Sequence, residues 1–417
     1  MNSRERVLKA INHEEPDRVP IDLGGSVVTG IMAGALVRLR QRLGLEGDVK
    51  VYDVFQMLGE VTLDLVEKLG IDVLPVQPEA IHFAHLLNRD TRPWTLFDGT
   101  PVLMPGAFEV EVAPNGDWLL HENGDPRRPV IARMPQGGFY FDDLNAIKWD
   151  PDFTPPPIES LRASGWNRAT GEHLRYLQDR ARLLRRTTDK ALLLMAGGLG
   201  PPMVGSFPER LVLLVTEQGY VRELMDLGAE VALENLRLYW EALGQDVDVI
   251  VVSALDYGGQ QRELFSPALF EELFVPCYRK QCDWIHRHTP WKTFQHCCGS
   301  IPNLIEPLMR AGIDVLNPVQ TSAQGMDPRW LKETFGDRIT FWGGGVDTQR
   351  VLSFGTPEEV RQDVARRIEI FGPGGGFVWN PIHNVQYDVP PENVVAAIEA
   401  VHEFGRYPLQ CTPTESP

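Results

Sequence analysis

The 417-residue sequence has no apolar run that approaches the roughly 20 residues needed for a membrane-spanning helix. Residues 1–6 lead into a polar segment and not into the apolar core of a secretion signal. We therefore predict a cytoplasmic protein that does not use a membrane.

Positive charge is also in short supply. The chain has 40 Lys and Arg against 57 Asp and Glu, which gives a formal net charge of −17. Because nucleic acids and anionic lipid surfaces attract basic proteins, this charge argues against either as the main partner. It does not restrict a small-molecule substrate.

Cysteine is too scarce for a disulfide framework. The chain has five cysteines, an odd number, and two of them are adjacent. In a reducing compartment, clustered cysteine and histidine are more often metal-binding or catalytic. The cysteines are Cys277, Cys282, Cys297, Cys298 and Cys411.

What the chain does contain is a regular alternation of helical periodicity with short apolar segments, clearest after residue 159. Repeated strand–helix units imply a parallel sheet. Counting two earlier segments, the number of strands is that of a closed (β/α)₈ TIM barrel, with an open doubly wound sheet as the alternative. The predicted strands cover residues 18–25, 71–76, 191–196, 247–253, 292–296, 314–318, 339–342 and 377–380.

We predict helices over 31–44 and 53–69, where apolar residues recur at helical spacing, and over the later segment 206–244.

Residues 94–157 break this rhythm. Alternation over 108–112, the Asn-Gly turn at 115–116 and the proline run at 155–157 predict a β-hairpin region followed by a linker. We treat this segment as an insertion in a single domain spanning 1–417.

His296 and Cys298 are the most informative pair. They end a predicted strand two residues apart, so both side chains point to the same side, and Cys297 should point away and pack. Imidazole and thiolate are ligands that zinc prefers. The alternative is a hydrogen-bonded core histidine beside a small buried thiol.

Polar residues follow nearly every predicted strand, at the end where barrel enzymes place their chemistry. Among them, His383 is the leading third ligand, because a His₂Cys set leaves the fourth tetrahedral position open for catalysis. The alternative for His383 is a substrate contact without metal. Asp256 is a candidate fourth ligand, substrate contact or helix cap.

Several segments resemble the uroporphyrinogen decarboxylase superfamily. The resemblance covers most of the chain outside the insertion, and it also implies a (β/α)₈ barrel. The matching segments are residues 4–10, 16–20, 296–299, 313–317, 344–348, 355–360, 376–383 and 391–394.

The superfamily includes a heme-pathway decarboxylase without metal or cofactor and methyltransferases that work with a separate corrinoid protein. The decarboxylase has an arginine-bearing segment after its first strand, whereas residues 22–26 here contain none. Residues 296–299 resemble the His-x-Cys-Gly pair of the methyltransferase branch, and residues 256–260 resemble its Asp-x-Gly-x-Gln segment. Thiol-activating members have a third ligand cysteine near the last strand, where this chain has His383.

The resemblance therefore implies a methyltransferase that moves a methyl group from a small methylated substrate to the Co(I) corrinoid of a partner protein. Zinc would act as a Lewis acid on the heteroatom that bears the methyl group. His296, Cys298 and His383 are the expected zinc ligands, and Asp256 completes the expected catalytic set. The expected substrate contacts are Asp22, Tyr257, Gln260, Asn317, Trp342 and Asn380.

The aromatic rings of Tyr257, Trp342 and Trp379 favour a methoxylated aromatic substrate, although Trp379 is equally compatible with the core. The chain has no Asp-x-His-x-x-Gly corrinoid signature, so the corrinoid must be brought in. The main alternative is a metal-free carboxy-lyase, and a binding protein or a zinc hydrolase also remains open, as does a homodimer.

Overall fold

A computed structural model of the protein describes residues 1–409, so Cys411 lies outside the described part. Two 3₁₀ turns cover Glu122–Gly124 and Gly244–Asp246. The strands are β1 (Val51–Asp53), β2 (Leu58–Gly59), β3 (Val73–Val76), β4 (Arg92–Thr95), β5 (Pro101–Met104), β6 (Glu111–Val112), β7 (Trp118–His121), β8 (Val130–Met134), β9 (Asp142–Asp143), β10 (Ala191–Met195), β11 (Val249–Ala254), β12 (Lys292–His296), β13 (Val315–Asn317), β14 (Thr340–Trp342) and β15 (Phe377–Val378).

Most of the α-helices follow barrel strands and pack around them. They are α1 (Ser3–Ile11), α2 (Ala33–Arg42), α3 (Leu63–Leu69), α4 (Leu144–Ile147), α5 (Ile158–Ala163), α6 (Gly171–Thr187), α7 (Phe207–Thr216), α8 (Gln218–Leu243), α9 (Pro267–Leu273), α10 (Val275–His288), α11 (Ile305–Arg310), α12 (Pro328–Phe335), α13 (Val351–Phe354), α14 (Pro357–Phe371) and α15 (Pro391–Phe404). Within residues 1–409, no helix combines the length and the apolar character that a bilayer crossing requires.

The central sheet has seven strands in the order β15-β14-β13-β12-β11-β10-β3. Each neighbouring pair is parallel. Nearly all their side chains are buried, as expected for strands covered on both faces.

The segment around Ile21 closes this sheet into a barrel. Ile21 forms a parallel bridge with Trp379, just after β15. On its other side, its carbonyl accepts a hydrogen bond of 2.8 Å from the amide of Asp72, just before β3. The predicted (β/α)₈ barrel is confirmed, with the first predicted strand reduced to a bridge.

Ion pairs hold this closing segment against the start of β3. The buried carboxylate of Asp72 pairs with Arg6 and Arg18, each at 2.7 Å. It also accepts a hydrogen bond of 2.8 Å from the amide of Ile21. Arg6 and Arg18 therefore help to close the barrel.

The helix predicted over 53–69 is wrong in its first half. Residues 51–59 form the antiparallel pair β1–β2, and α3 begins only at Leu63. The carboxylate of Asp53 accepts a hydrogen bond from the amide of Phe55 at 3.0 Å, which offers the backbone a turn in place of a helix. Met57 has a φ of +53°, which ends helical geometry there.

The predicted helix over 206–244 is two helices. α7 ends at Thr216 and α8 begins at Gln218, with Glu217 at φ −125° and ψ 46° between them. At the start of α7, the carboxylate of Glu209 accepts a hydrogen bond of 2.6 Å from the backbone amide of Ser206, which stabilises the first turn.

The segment predicted as an insertion contains the antiparallel pair β4–β5 and the antiparallel sheet β6-β7-β8-β9. The turn between β6 and β7 falls at the predicted Asn-Gly, where Gly116 has a φ of +86°. Trp118 packs edge-on against Trp94 with ring centroids 5.6 Å apart, which joins the two sheets.

Candidate metal centre

The ends of three neighbouring barrel strands lie at one level. In the register of the sheet, His296 is the partner of Ala254 on β11 and of Asn317 on β13. His296 is therefore held on both sides by backbone pairing, and its side chain is buried. Cys298 follows two residues later, past the last paired residue of β12.

The three predicted ligands meet at this level. The ligand atoms of His296, Cys298 and His383 all lie within 4.8 Å of one another. Cys298 Sγ is 3.4 Å from His296 Nε2, close to the separation of about 3.5 Å expected for two such ligands on a tetrahedral zinc. The rings of His296 and His383 meet edge to face with centroids 5.4 Å apart.

Asn317 selects which nitrogen of His296 faces the cluster. His296 Nδ1 lies 2.6 Å from Asn317 Oδ1, so Nδ1 carries the proton and donates it. The amide of Asn317 cannot turn round, because its Nδ2 donates to the carbonyl of Trp342 at 2.8 Å. The lone pair of His296 Nε2 is left toward Cys298 and His383. This is the arrangement that orients a histidine for metal binding.

The protonation states of these three side chains suit the binding of a cation. Burial lowers the pKa of His296, against the opposing effects of Asp256 and Asn317. Burial, with the nearby His296, lowers the pKa of His383 to about 3. Burial and then the Asp256 carboxylate raise the pKa of the Cys298 thiol. Two neutral imidazoles and a thiol that needs a positive charge to ionise are therefore gathered together, and this donor set fits zinc.

Asp256 lies against this cluster. Its Oδ1 accepts a hydrogen bond from the backbone amide of Cys298 at 2.7 Å and is 3.8 Å from His296 Nε2. The side chain is 51% exposed, so one face is open to a ligand. Asp256 lies beside the cluster but is not one of the three residues whose ligand atoms meet, so its role as a fourth ligand or substrate contact stays a prediction.

Two glycines allow the loops after β11 and β12 to cross. Gly299 has a φ of +92°, and a Cβ there would lie 2.3 Å from the carbonyl oxygen of Gly258. A Cβ on Gly258 would meet Cys298 O and the backbone of Ser300 within 3 Å. Only glycine at both places lets the backbone carrying Asp256 approach the backbone carrying Cys298.

Of the two residues after β11 that were predicted to contact substrate, Tyr257 lies in the core and Gln260 lies on the surface. Tyr257 is buried, and its hydroxyl lies 2.7 Å from that of Tyr278. Its amide donates to Cys297 Sγ at 3.2 Å, and Cys297 lies outside the ligand cluster, as predicted. Gln260 is exposed, and its carbonyl accepts from the amide of Gln324.

Four of the residues predicted to contact substrate are fully buried and bonded within the protein. Trp342 Nε1 donates to Asp22 Oδ2 at 2.8 Å, and Asn380 Nδ2 donates to the carbonyl of Asp22 at 3.0 Å. Burial raises the pKa of Asp22 to about 6. Hydrogen bonds connect Asp22 to Trp342, Trp342 to Asn317 and Asn317 to His296, and a substrate contact for any of the four stays a prediction.

Sequence reasoning missed the role of Gln320. Its side-chain oxygen accepts a hydrogen bond from the amide of Gly299 at 2.8 Å, which fixes the turn that follows Cys298. Its position shortly after β13 was the only available signal. Asn317 was predicted as a substrate contact, whereas its hydrogen bond to His296 follows from the register between β12 and β13.

Residues 146–404, more than half of the chain, match the family described as Uroporphyrinogen decarboxylase (URO-D). The chain belongs to the uroporphyrinogen decarboxylase family. The resemblance drawn from the sequence motifs is therefore confirmed at the level of the family.

Named relatives are similar at moderate identity. The uroporphyrinogen decarboxylase of Alkalilimnicola ehrlichii is 27% identical over 245 residues, which cover 56% of this chain and 63% of that protein. The uroporphyrinogen decarboxylase of Pseudomonas putida is 26% identical over 290 residues, covering 64% of this chain and 74% of that protein. The chain thus spans less than two thirds of the first of these two relatives.

The fold is also that of a solved structure described as a methyltransferase from Methanosarcina mazei. The two superpose with a TM-score of 0.56 over 97% of this chain and 99% of that chain. Their sequences are 16% identical, so the likeness establishes the shared fold and nothing about activity.

Proposed function

We propose that this uroporphyrinogen decarboxylase-like enzyme is a zinc-dependent methyltransferase that passes a methyl group from a small methylated substrate to the Co(I) corrinoid of a partner protein. The observation that carries the proposal is the cluster of His296, Cys298 and His383, whose ligand atoms lie within 4.8 Å of one another. Three ligands leave a fourth position for the substrate heteroatom.

Each protein group in the cluster has a separate task. His296 would offer Nε2 to the metal because Asn317 holds its Nδ1 proton, and His383 would offer a neutral nitrogen. Asp256 would orient the substrate at the open position. Zinc bound there would act as a Lewis acid and stabilise the anion that leaves when the bond from heteroatom to methyl carbon breaks. The Co(I) corrinoid of the partner protein would supply the electron pair that takes up the methyl group.

One sequence pattern supports this choice among the activities of the superfamily, and one shared fold is compatible with it. Residues 296–299 have the His-x-Cys-Gly pattern of the corrinoid-dependent branch. The solved structure from Methanosarcina mazei that shares the fold is described as a methyltransferase. A methoxylated aromatic donor, a corrinoid protein as partner, a homodimer and a cytoplasmic location all remain predictions.

A metal-free carboxy-lyase is the second candidate, because the named relatives are uroporphyrinogen decarboxylases. The sequence argument against it was the lack of arginine near Asp22. Asp22 itself is fully buried, so its charge does not act directly on a substrate, but residues 22–26 still offer no arginine for substrate carboxylates. The two candidates must be separated by assay.

The first test is metal content. Purified protein loaded with zinc should retain one zinc per chain, and Cys298→Ala and His383→Ala should each lose it on dialysis. Cys297→Ala is the matched control, since Cys297 is adjacent but lies outside the cluster. Full zinc retention at unchanged affinity in His383→Ala would remove His383 from the ligand set.

The second test is the reaction. Zinc-loaded protein, free cob(I)alamin and a panel of methoxylated and methylthio compounds should show loss of the Co(I) absorbance, and Cys298→Ala should not. The same preparations are given uroporphyrinogen. Decarboxylation of uroporphyrinogen by metal-free protein would overturn the methyltransferase proposal.

A further inference from the structure

A cavity of about 250 Å³ lies between α7 and the loop that follows β11. Its wall is mostly apolar, with Leu211 and Leu214 from α7 facing Phe265 and Phe274. Asp256 also lines it, and the same Asp256 carboxylate is 3.8 Å from His296 Nε2. The cavity and the metal cluster are therefore neighbours, with Asp256 between them.

One basic residue, Arg210 in the first turns of α7, is part of this wall. Its Nε donates to the carbonyl of Gly205 at 2.8 Å, which anchors the guanidinium. Within residues 1–409, neither terminal nitrogen has a carboxylate within salt-bridge distance. Half-burial lowers the pKa of Arg210, but arginine stays charged at any physiological pH.

The acids closest to Arg210 are engaged elsewhere. Glu209 accepts hydrogen bonds from the backbone amides of Ser206 at 2.6 Å and Asp150 at 3.1 Å. Asp143 lies 2.8 Å from His82 Nε2 and also caps α4. A guanidinium on the wall of an apolar cavity, without a partner carboxylate, is suited to bind an anion from solution.

The charges at the cavity are also arranged by sign. Arg210 attracts an anionic group, while Asp256, beside the cluster, repels one. An elongated molecule with one negative end would therefore lie with that end at Arg210 and its other end toward Asp256, which borders the metal cluster. The volume is slightly below the range of about 300–1,000 Å³ usual for ligand pockets, which favours a small molecule.

We propose that this cavity binds a small methylated monoanion, with its carboxylate on Arg210, its apolar body against the aromatic wall and its methyl-bearing heteroatom at the metal cluster. The methyl-bearing end rests on the proposed function, whereas the anion site can be tested without turnover. Arg210 would be a specificity-determining residue, because it selects an acid over the neutral compound of the same shape.

The test is the equilibrium binding of 4-methoxybenzoate and of 4-methoxybenzamide to the full chain, measured by calorimetry. We expect the acid to bind about tenfold more tightly than the amide, the size of one charged hydrogen-bonded contact. Arg210→Gln should remove this preference while leaving amide binding unchanged, and Arg210→Lys should keep part of it. Arg222→Gln, at an exposed arginine on α8, is the control and should bind like wild type.

Equal binding of acid and amide by the wild type, failure to bind either compound at millimolar concentration, or an unchanged preference in Arg210→Gln would each overturn the inference. His383→Ala separates the two proposals, since its preference for the acid should persist if the carboxylate is held by Arg210 and not by a metal. Acid preference without methyl transfer would overturn only the proposed function. Methyl transfer without acid preference would overturn only the anion site.

Discussion

At the scale of single residues, the contacts of Asn317 decide what His296 can do. Asn317 Oδ1 accepts from His296 Nδ1, and Asn317 Nδ2 is held by the carbonyl of Trp342. Without this amide, the proton of His296 could move to Nε2 and occupy the lone pair that faces Cys298. Asn317 is therefore a positioning residue for the proposed metal ligand.

We expect Asn317→Ala to weaken zinc binding about 10- to 100-fold, the usual effect of removing the partner that orients a ligand. Asn317→Asp should lose less zinc affinity than Asn317→Ala, because aspartate keeps an acceptor for His296 Nδ1. Competition with a zinc chelator measures the zinc affinity of both variants. Asn303→Ala, at an exposed asparagine, is the control. Unchanged affinity in a folded Asn317→Ala protein would show that the hydrogen bond does not orient His296.

Asp22 is the second residue whose surroundings predict a measurable effect. It is fully buried, and burial raises its pKa from 3.8 to about 6. A raised carboxyl pKa means that the folded state holds the proton more tightly than the unfolded state does. The stability from this group is complete below pH 4 and is lost as the pH rises through about 6.

We expect the free energy of unfolding of the wild type, relative to Asp22→Asn, to fall by about 2–3 kcal/mol between pH 4 and pH 7.5. Urea unfolding of both proteins across this range measures the difference. Asp22→Asn also loses one acceptor, which lowers stability by a pH-independent amount. A difference that stays flat with pH would mean that Asp22 titrates normally.

At the scale of elements, the loops after β11 and β12 build the site by crossing at Gly258 and Gly299. Asp256 lies on one loop and Cys298 on the other, and their hydrogen bond of 2.7 Å depends on this close approach. The sequence predicted both strands from their apolar runs. It did not predict that the following loops touch, because that contact joins residues about 40 positions apart.

Gly299→Ala should destabilise the protein by at least about 2 kcal/mol, because the added Cβ combines a strained φ with a backbone clash. Gly259→Ala is the matched control, since a Cβ there meets its nearest atom at 3.6 Å. Chemical unfolding of the two variants gives the comparison. If Gly299→Ala were as stable as Gly259→Ala, the close backbone contact between the two loops at Gly299 would be contradicted.

At the scale of the whole molecule, the metal cluster joins distant parts of the closed barrel. His296 ends β12 and Cys298 follows it, whereas His383 follows β15. These residues become neighbours because β12 and β15 belong to the same closed barrel, with β13 and β14 between them. The unfolded chain has no such cluster. A metal bound there favours the folded state by mass action.

We expect zinc to raise the melting temperature of the metal-free protein, with a stabilisation of about 2.7 kcal/mol when free zinc is 100 times its dissociation constant. Cys297→Ala should respond to zinc like wild type, and Cys298→Ala should not respond. Thermal unfolding with zinc and with a chelator measures the shift. Equal zinc responses in Cys297→Ala and Cys298→Ala would place any bound zinc outside the cluster.

The sequence alone determined the features that depend on near neighbours along the chain. Apolar runs with helical segments between them predicted the barrel, and the spacing of two residues placed His296 and Cys298 on one side. The helix predicted across Asp53 and Met57 failed because a local turn and a left-handed residue outweigh leucine spacing.

Only the tertiary structure decided how residues distant in sequence act on one another. It brought His383 to His296, turned Asn317 toward Nδ1 and buried Asp22. Within residues 1–409 it also left Arg210 without a carboxylate at salt-bridge distance. The physical reason is that these contacts follow from strand register and barrel closure, which are set by long-range packing. No local pattern of residue types encodes them.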